Sequence, residues 1–269
     1  GRIKDKYRDV LTKLEIAWED EKHSEEKILN ANVVMKSPGI PETAALVVKL
    51  RKNDIPVISE IEFASWFSET PVIGITGSNG KTTVTNLIQH LLKNGEVNSG
   101  MGGNIGNSYA KMVAENKHNW FVLELSSFQL DGIEDFKPHI AILTNITPDH
   151  LDRYDFKFEN YIESKFRITK NQTAEDYFIY DADDPVITEW LEKNPVKAQK
   201  LPFSMEKKLE KGAYLEDTNI VIKINNKEFT MSTSDIFLQG KHNTKNAMAA
   251  ATVSQLLRIR KQTISFIKH

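Results

Sequence analysis

Val72-Ile73-Gly74-Ile75-Thr76-Gly77-Ser78-Asn79-Gly80-Lys81-Thr82-Thr83 is the stretch that decides the fold. Its opening residues form an apolar run of the kind a strand shows when both its faces are buried. The glycines that follow let the backbone turn so that successive N–H groups can face an anion, and a helix starting beside them adds its positive end. That helix is predicted from Thr82 to about Asn94. In such a loop Lys81 reaches the β- and γ-phosphates of a nucleotide and the Thr82 hydroxyl ligates magnesium, with Gly77, Ser78, Asn79, Gly80 and Thr83 completing the cradle. The full G-x-x-x-x-G-K-[ST] pattern requires glycine where this chain has Ile75, whereas the shorter Gly77-x-x-Gly80-Lys81-Thr82 is intact. A plain glycine turn capping a helix is the alternative. The preceding strand and the acids downstream favour phosphate binding.

Working outward, Trp120–Leu125, Ile140–Ile146 and Tyr177–Tyr180 are further apolar strands separated by helical stretches, which predicts an α/β fold with a mostly parallel sheet covered by helices. Asn219–Ile224 and Lys227–Met231, joined by Asn225-Asn226, predict a small antiparallel hairpin, and Ala247–Leu257 an alanine-rich helix. Before Pro71 the chain alternates between helix and strand. Strand candidates lie at Ala31–Met35 and Ile55–Ile58, helices at Glu42–Lys52 and from Ser59, a plausible N-cap, to Phe67. The reading is a partial Rossmann-like domain over residues 1–70 and a nucleotide-binding domain over 71–262. Gly1–Lys4 offers no opening strand, so the first βα unit is expected to be missing.

Composition narrows the function classes. With 269 residues, 40% of them apolar and 27% charged, the chain can bury a core and is not a disordered segment. Lys plus Arg number 35 against 37 Asp plus Glu, a net charge of −2, which argues against binding nucleic acid through bulk charge. There are no cysteines, excluding disulfides, thiolate metal sites and cysteine nucleophiles. No apolar run approaches the ~20 residues of a membrane-spanning helix. A cytoplasmic protein that engages neither nucleic acid nor membrane is expected, and it is read as a monomer.

Several strand ends carry candidate ligands. Glu124 closes an apolar strand, where an unpaired carboxylate is costly, and at the carboxyl end of a parallel strand it would face the ligand crevice and could hold magnesium. A salt-bridged core acid is the alternative. Ser126 and Gln129, in Leu125–Leu130, could bond a polar ligand, or Ser126 or Ser127 could cap a helix. Asp149-His150 lies in a polar loop after the third strand, where His150 could ligate a metal. Lys165, by periodicity, is an exposed lysine on a helix from Phe158 to Thr169. Gly103-Asn104-Ile105-Gly106 reads as a ligand-facing loop. Asp181-Ala182-Asp183-Asp184 reads as a capping or ribose-contacting turn. Asn243 is a sensible N-cap for the last helix, and with Asn246 it could read an adenine edge.

Taken together, Gly77–Thr82, Gly103–Gly106, Glu124, Thr144-Asn145 with Asp149–Asp152, Lys165–Ile168 and His242-Asn243-x-x-Asn246 resemble the Mur ligase family, the ATP-dependent amino-acid ligases of peptidoglycan synthesis. The resemblance runs over nearly the whole chain. Ser78 stands where the family usually has threonine and keeps the hydroxyl. Leu125–Leu130 and His150–Tyr154 look most like the member that adds D-glutamate to UDP-N-acetylmuramoyl-L-alanine, and Ser37-Pro38-Gly39-Ile40 and Ser59-Glu60-Ile61-Glu62 look like its uridine-binding amino-terminal domain.

The resemblance implies an amide-bond-forming ligase that passes through an acyl phosphate, with ATP and two magnesium ions. Thr82 and Glu124 would hold one ion. His150 and Lys165 would flank the other, with Lys165 carbamylated so that it can serve as a ligand. It also implies Lys81, His150 and Lys165 as catalytic, Asn243 and Asn246 on the nucleotide, and Ser37, Asn104, Ser126 and Gln129 on the UDP-substrate. The family has a third, carboxyl-terminal domain for the incoming amino acid, so the chain is expected to be a fragment. Two other expectations stay open: a different Mur or folylpolyglutamate synthase-type ligase, and a nucleotide-binding fragment without turnover of its own.

Overall fold

The computed structural model describes residues 2–236 and 240–259. Two compact units divide between Ile58 and Ser59.

The first unit is small. It contains α1 (Asp5–Lys13), α2 (Glu25–Leu29), β1 (Val34–Met35), α3 (Ala45–Lys52) and β2 (Val57–Ile58). The two short strands pair in parallel, Val34 opposite Val57 and Met35 opposite Ile58, so α3 is the crossover of a βαβ unit. Val47 and Leu50 are the buried face of that helix.

The second unit opens with α4 (Glu60–Ser65), capped by Ser59, whose hydroxyl accepts the Glu62 N–H. This helix belongs here for a physical reason. Ile61 and Ala64 join a core with Tyr109 and Phe136, and the buried Glu62 carboxylate accepts the backbone N–H groups of Glu134, Asp135 and Phe136 and the Trp66 indole N–H. The division by packing therefore falls before Ser59, ahead of the Pro71 punctuation in the sequence.

The remaining strands are β3 (Val72–Thr76), β4 (Ser99–Gly103), β5 (Trp120–Glu124), β6 (Ile140–Leu143), β7 (Tyr177–Asp181), β8 (Gln199–Ser204), β9 (Gly212–Glu216), β10 (Asn219–Ile224) and β11 (Lys227–Ser232). The helices are α5 (Lys81–Asn94), α6 (Tyr109–Glu115), α7 (Ser127–Leu130), α8 (Phe158–Phe166), α9 (Pro185–Lys193) and α10 (Lys241–Leu256). The strands form one nine-stranded sheet in the order β11-β10-β9-β8-β7-β6-β3-β5-β4. Pairing is parallel from β4 through β9, and only the β9–β10 and β10–β11 pairs are antiparallel. The structure is thus α/β with a mostly parallel sheet, and the hairpin continues that sheet at its edge. Asn225 and Asn226 turn it with φ of 52° and 60°, the left-handed pair a two-residue hairpin demands.

Side chains alternate cleanly between two cores. Ile73, Ile75, Val122, Ile140, Ile142 and Ile179 face α5 and α10, and Val72, Phe121, Leu123, Ala141, Leu143 and Phe178 face the opposite layer with α6 and α8. Three strands escape the apolar-run criterion. The sequence of β4 is mostly glycine, β8 contains Pro202, and β9 follows a charged stretch. The final helix starts at Lys241 with Gly240 as its N-cap, so Asn243 lies inside the first turn and does not cap it. Residues 260–262 and Ser265–His269 lie outside the described residues.

Candidate active site

The loop after β3 sits where the chain reverses direction across the sheet, between β5 on one side and β6 on the other, at the carboxyl ends of the strands. Its glycines are obligatory. Gly77 has φ of +144°, and a Cβ there would lie 2.0 Å from the Thr144 hydroxyl oxygen. Gly80, at φ +84°, caps α5, and its Cβ would lie 2.6 Å from Asn246 Oδ1. A strap after β6 holds the loop. Ser78 N–H donates to the Asn145 carbonyl (2.9 Å), and Asn79 N–H donates to Asn145 Oδ1 (2.9 Å). The Asn79 carbonyl accepts from Thr144 Oγ1 (2.6 Å) and Asn145 Nδ2 (3.0 Å). The Ser78 hydroxyl donates to the Thr147 carbonyl (2.9 Å), accepts the Thr147 N–H (2.9 Å), and lies 3.1 Å from the Tyr161 hydroxyl.

Two lysines converge on one carbonyl of this loop. Lys81 Nζ donates to the Gly77 and Ser78 carbonyls at 2.8 Å each, and Lys165 Nζ donates to the Gly77 carbonyl at 2.9 Å. Lys165 is only 2% exposed, which corrects the exposed-helix expectation drawn from periodicity. Helix α8 turns Lys165 inward together with Tyr161, over whose ring the ammonium lies 5.0 Å from the centroid. Burial, and then the nearby Lys81 charge, pull the Lys165 amine down to about 7. Burial also lowers Lys81, partly opposed by the Glu124 charge. The amine of Lys165 therefore gives up its proton far more readily than a surface lysine does.

Glu124, 2% exposed at the end of β5, accepts the Thr82 hydroxyl at 2.7 Å and the Asn104 amide at 2.8 Å. It forms no ion pair among the described residues, so the salt-bridged core alternative does not hold. Thr82 and Glu124 fit a magnesium ion: they are hard oxygen donors held together beside the phosphate loop. The second expected pair is not assembled by any contact. His150 is exposed, with φ of 50°, its ring 5.3 Å from Phe128 and its Nε2 3.5 Å from Asp149. Among the described residues no group of three His, Asp or Glu side chains converges on a metal position.

A cavity of about 1140 Å³ opens beside the loop. Asn79, Gly80, Thr83 and Asn246 line it, as do Thr144–Pro148, Phe203 and Met205. Asn246 Nδ2 donates to Asn243 Oδ1 at 3.4 Å, which joins the two expected amides. Ser126 and Gln129 are engaged with each other in a capping box that starts α7. The Ser126 hydroxyl oxygen accepts the Gln129 N–H, and Gln129 Oε1 accepts the Ser126 N–H. Ser37 is exposed in the turn after β1, where its carbonyl accepts the Ile40 N–H. In the acidic turn, Asp184 caps α9 by accepting the Val186 and Ile187 N–H groups, and Asp181 and Asp183 pair with Lys245. Sequence reasoning passed over Lys245, although two closely spaced acids at a strand end signal a cation to be found elsewhere.

The Mur ligase middle domain model matches residues 75–254. The chain is similar to the UDP-N-acetylmuramoylalanine–D-glutamate ligase of Christiangramia forsetii, 77% identical over 264 residues, covering 98% of this chain and 59% of the relative. It is 50% identical over 262 residues to the Bacteroides fragilis ligase of the same name, covering 97% and 59%. The chain thus spans about six-tenths of the length of these curated relatives. Among solved structures, the fold is similar to the UDP-N-acetylmuramate:L-alanyl-gamma-D-glutamyl-meso-diaminopimelate ligase of Neisseria meningitides, with a TM-score of 0.64 at 16% identity over 99% of this chain and 87% of that one. It is also similar to MurF from Acinetobacter baumannii, with a TM-score of 0.59 at 20% identity over 77% and 47%. The strapped phosphate loop, the Thr82–Glu124 pair and the extent of these matches lead to one assignment: the chain belongs to the Mur ligase family.

Proposed function

We propose that this chain carries the nucleotide site, and part of the UDP-substrate site, of an ATP-dependent ligase that adds D-glutamate to UDP-N-acetylmuramoyl-L-alanine. The observation that carries the reading is the juxtaposition of Lys81, Lys165 and the Thr82–Glu124 pair around one glycine loop whose Asn79 and Gly80 line a nucleotide-sized cavity. The choice of D-glutamate rests on the 77% identical relative of that name.

The reaction has two steps. A carboxylate oxygen of the substrate's L-alanine attacks the γ-phosphorus of ATP, and ADP leaves. The amine of D-glutamate then attacks the resulting acyl phosphate, the tetrahedral intermediate collapses, and phosphate leaves. Both steps concentrate negative charge beside the loop, so fixed cationic and N–H groups dominate catalysis. Lys81 leaves its carbonyl partners for the β- and γ-phosphates. The loop N–H groups and the start of α5 hold the same oxygens. Thr82 and Glu124 would hold magnesium, which when bound neutralises phosphate charge.

Asn246, and Asn243 through it, would orient the base. Asn104 would hold both Glu124 and the UDP-substrate. Ser126 and Gln129 would meet the substrate from their capping box, and Ser37 the uridine. A second magnesium beside His150 fits only if Lys165 carries a carboxylate. Its low amine pKa suits that, because carbon dioxide reacts with the neutral amine. ATP and a UDP-linked acceptor are cytoplasmic substrates, and no described helix is long and apolar enough to cross a membrane.

The test is phosphate release by the full-length protein. The expected result is release that requires both UDP-N-acetylmuramoyl-L-alanine and D-glutamate. Release with ATP alone would point to a plain nucleotidase, and replacement of D-glutamate by another amino acid would point to a different ligase of the family.

A further inference from the structure

Lys245 and Asn246 are neighbours on the first turns of α10, about 100° apart around the helix, so one cannot move without rotating the other. Lys245 Nζ lies 3.0 and 2.8 Å from the two Asp181 carboxylate oxygens and 3.1 Å from Asp183 Oδ2. The carboxylates are nearly buried, with side chains 6% and 2% exposed, and they belong to the end of β7 and the turn after it. Asp183 also accepts the Ser204 hydroxyl and, at 2.8 Å, the Met205 N–H, tying in the β8 end that forms another wall of the cavity. Asn246, one residue on, fills the space beside Gly80. The N-cap of this helix is a glycine without a side-chain bond, so the ion triad adds to the buried packing of Ala247 and Met248 in fixing the roll of α10 at this end.

We propose that Lys245 is a positioning residue for the nucleotide. Its ion triad with Asp181 and Asp183 sets the rotation of α10, and through it the placement of the Asn246 amide against Gly80, so that nucleotide affinity depends on a residue acting through its neighbour. The inference rests on the nucleotide site assigned above. It adds a determinant outside the phosphate-loop signature, spanning 64 residues of chain.

The experiment is calorimetric titration of the full-length protein with a non-hydrolysable Mg–ATP analogue, alongside thermal unfolding of each variant without nucleotide. Lys245→Met is expected to weaken binding about tenfold, Asn246→Ala at least as much, and the double variant no more than Asn246→Ala alone, since one acts through the other. Lys245→Arg should recover most of the affinity. Asp181→Asn, which loosens the same triad from the other side, should give a smaller loss and keeps the test alive if Lys245→Met does not fold.

Three results would overturn the proposal. Additive losses in the double variant would mean that Lys245 acts on the nucleotide independently of Asn246. Unchanged affinity with a lowered melting temperature would mean a structural role only. Absence of analogue binding by the unaltered protein would instead refute the nucleotide site itself, and the proposal with it.

Discussion

At the phosphate loop, the strap that holds Gly77–Gly80 is made of hydrogen bonds between neutral groups, to which the lysines add bonds at the Gly77 and Ser78 carbonyls: the carbonyls and amides of the loop meet Thr144, Asn145 and Thr147, and Ser78 meets Tyr161. At the wall where α10 meets β7, the same cavity is held by charge, one ammonium between two carboxylates. The loop must keep a fixed shape whether or not an anion is bound, and bonds between neutral groups do this without adding a field of their own. Beside the loop the amines of Lys81 and Lys165 crowd one carbonyl, that of Gly77. The wall carries one ammonium against two carboxylates, and the remaining acceptor capacity of Asp183 is met by the Ser204 hydroxyl and the Met205 N–H.

The sharpest way to break the loop side is Gly77→Ala. With φ of +144° and 2.0 Å to the Thr144 hydroxyl oxygen, a methyl group forces the strap away. Chemical denaturation should show a loss of about 3 kcal/mol or more. A loss under about 0.5 kcal/mol would mean that the strap yields freely. Next comes Lys81→Ala, expected to weaken binding of a Mg–ATP analogue about 100-fold while leaving the ligand-free protein at least as stable, because a charge repelling Lys165 is gone. Equal affinity in calorimetry would remove Lys81 from the phosphates.

The crowding also has a pH signature. Lys165 is pulled down to about 7 in the folded chain, and Lys81 is lowered too, while unfolded lysines titrate near 10.5. Between those values the unfolded state binds more protons, so the ligand-free protein should gain stability as pH rises from about 7 to 9. Below about 7 both states are protonated at Lys165 and the full penalty of burying the charge applies. Lys165→Met should remove this part of the slope in denaturation series at several pH values, and an unchanged slope would contradict the burial argument.

Smaller still is Ser78→Ala, which deletes the hydroxyl linking the loop to Thr147 and leaves its N–H unpaired, for about 1–2 kcal/mol in denaturation. On the wall side, Asp181→Asn leaves Lys245 still paired with Asp183 and should cost about 1 kcal/mol or less by the same measurement. Should Asp181→Asn cost more than Gly77→Ala, the contrast between a shape-held loop and a charge-held wall would be reversed.

Much of the frame was legible. The apolar runs of β3, β5, β6 and β7 announce strands because both their faces are buried, and the Asn225-Asn226 turn announces the hairpin because only left-handed residues close it. The strand β4 was not legible, since Ser99–Gly103 carries almost no side chains and owes its conformation to β5 alongside it. The domain edge was misplaced by Pro71, because what binds α4 to the second unit is a carboxylate, Glu62, received by amides more than 70 residues away.

At the site, the motif Gly77–Thr82 reads directly into chemistry. A glycine with positive φ and a lysine at a helix start are local requirements, and local requirements are written in consecutive residues. The chemistry of Lys165 is not local. Its helix pattern suits an exposed lysine, and only the packing of α8 beside α7 and the loop after β3 buries it, brings it to the carbonyl that Lys81 already occupies, and so makes its amine unlike any lysine in water. Lys245 follows the same rule. Charge pairs and burial are properties of distances between segments far apart in the chain, and no spacing along the chain records those distances.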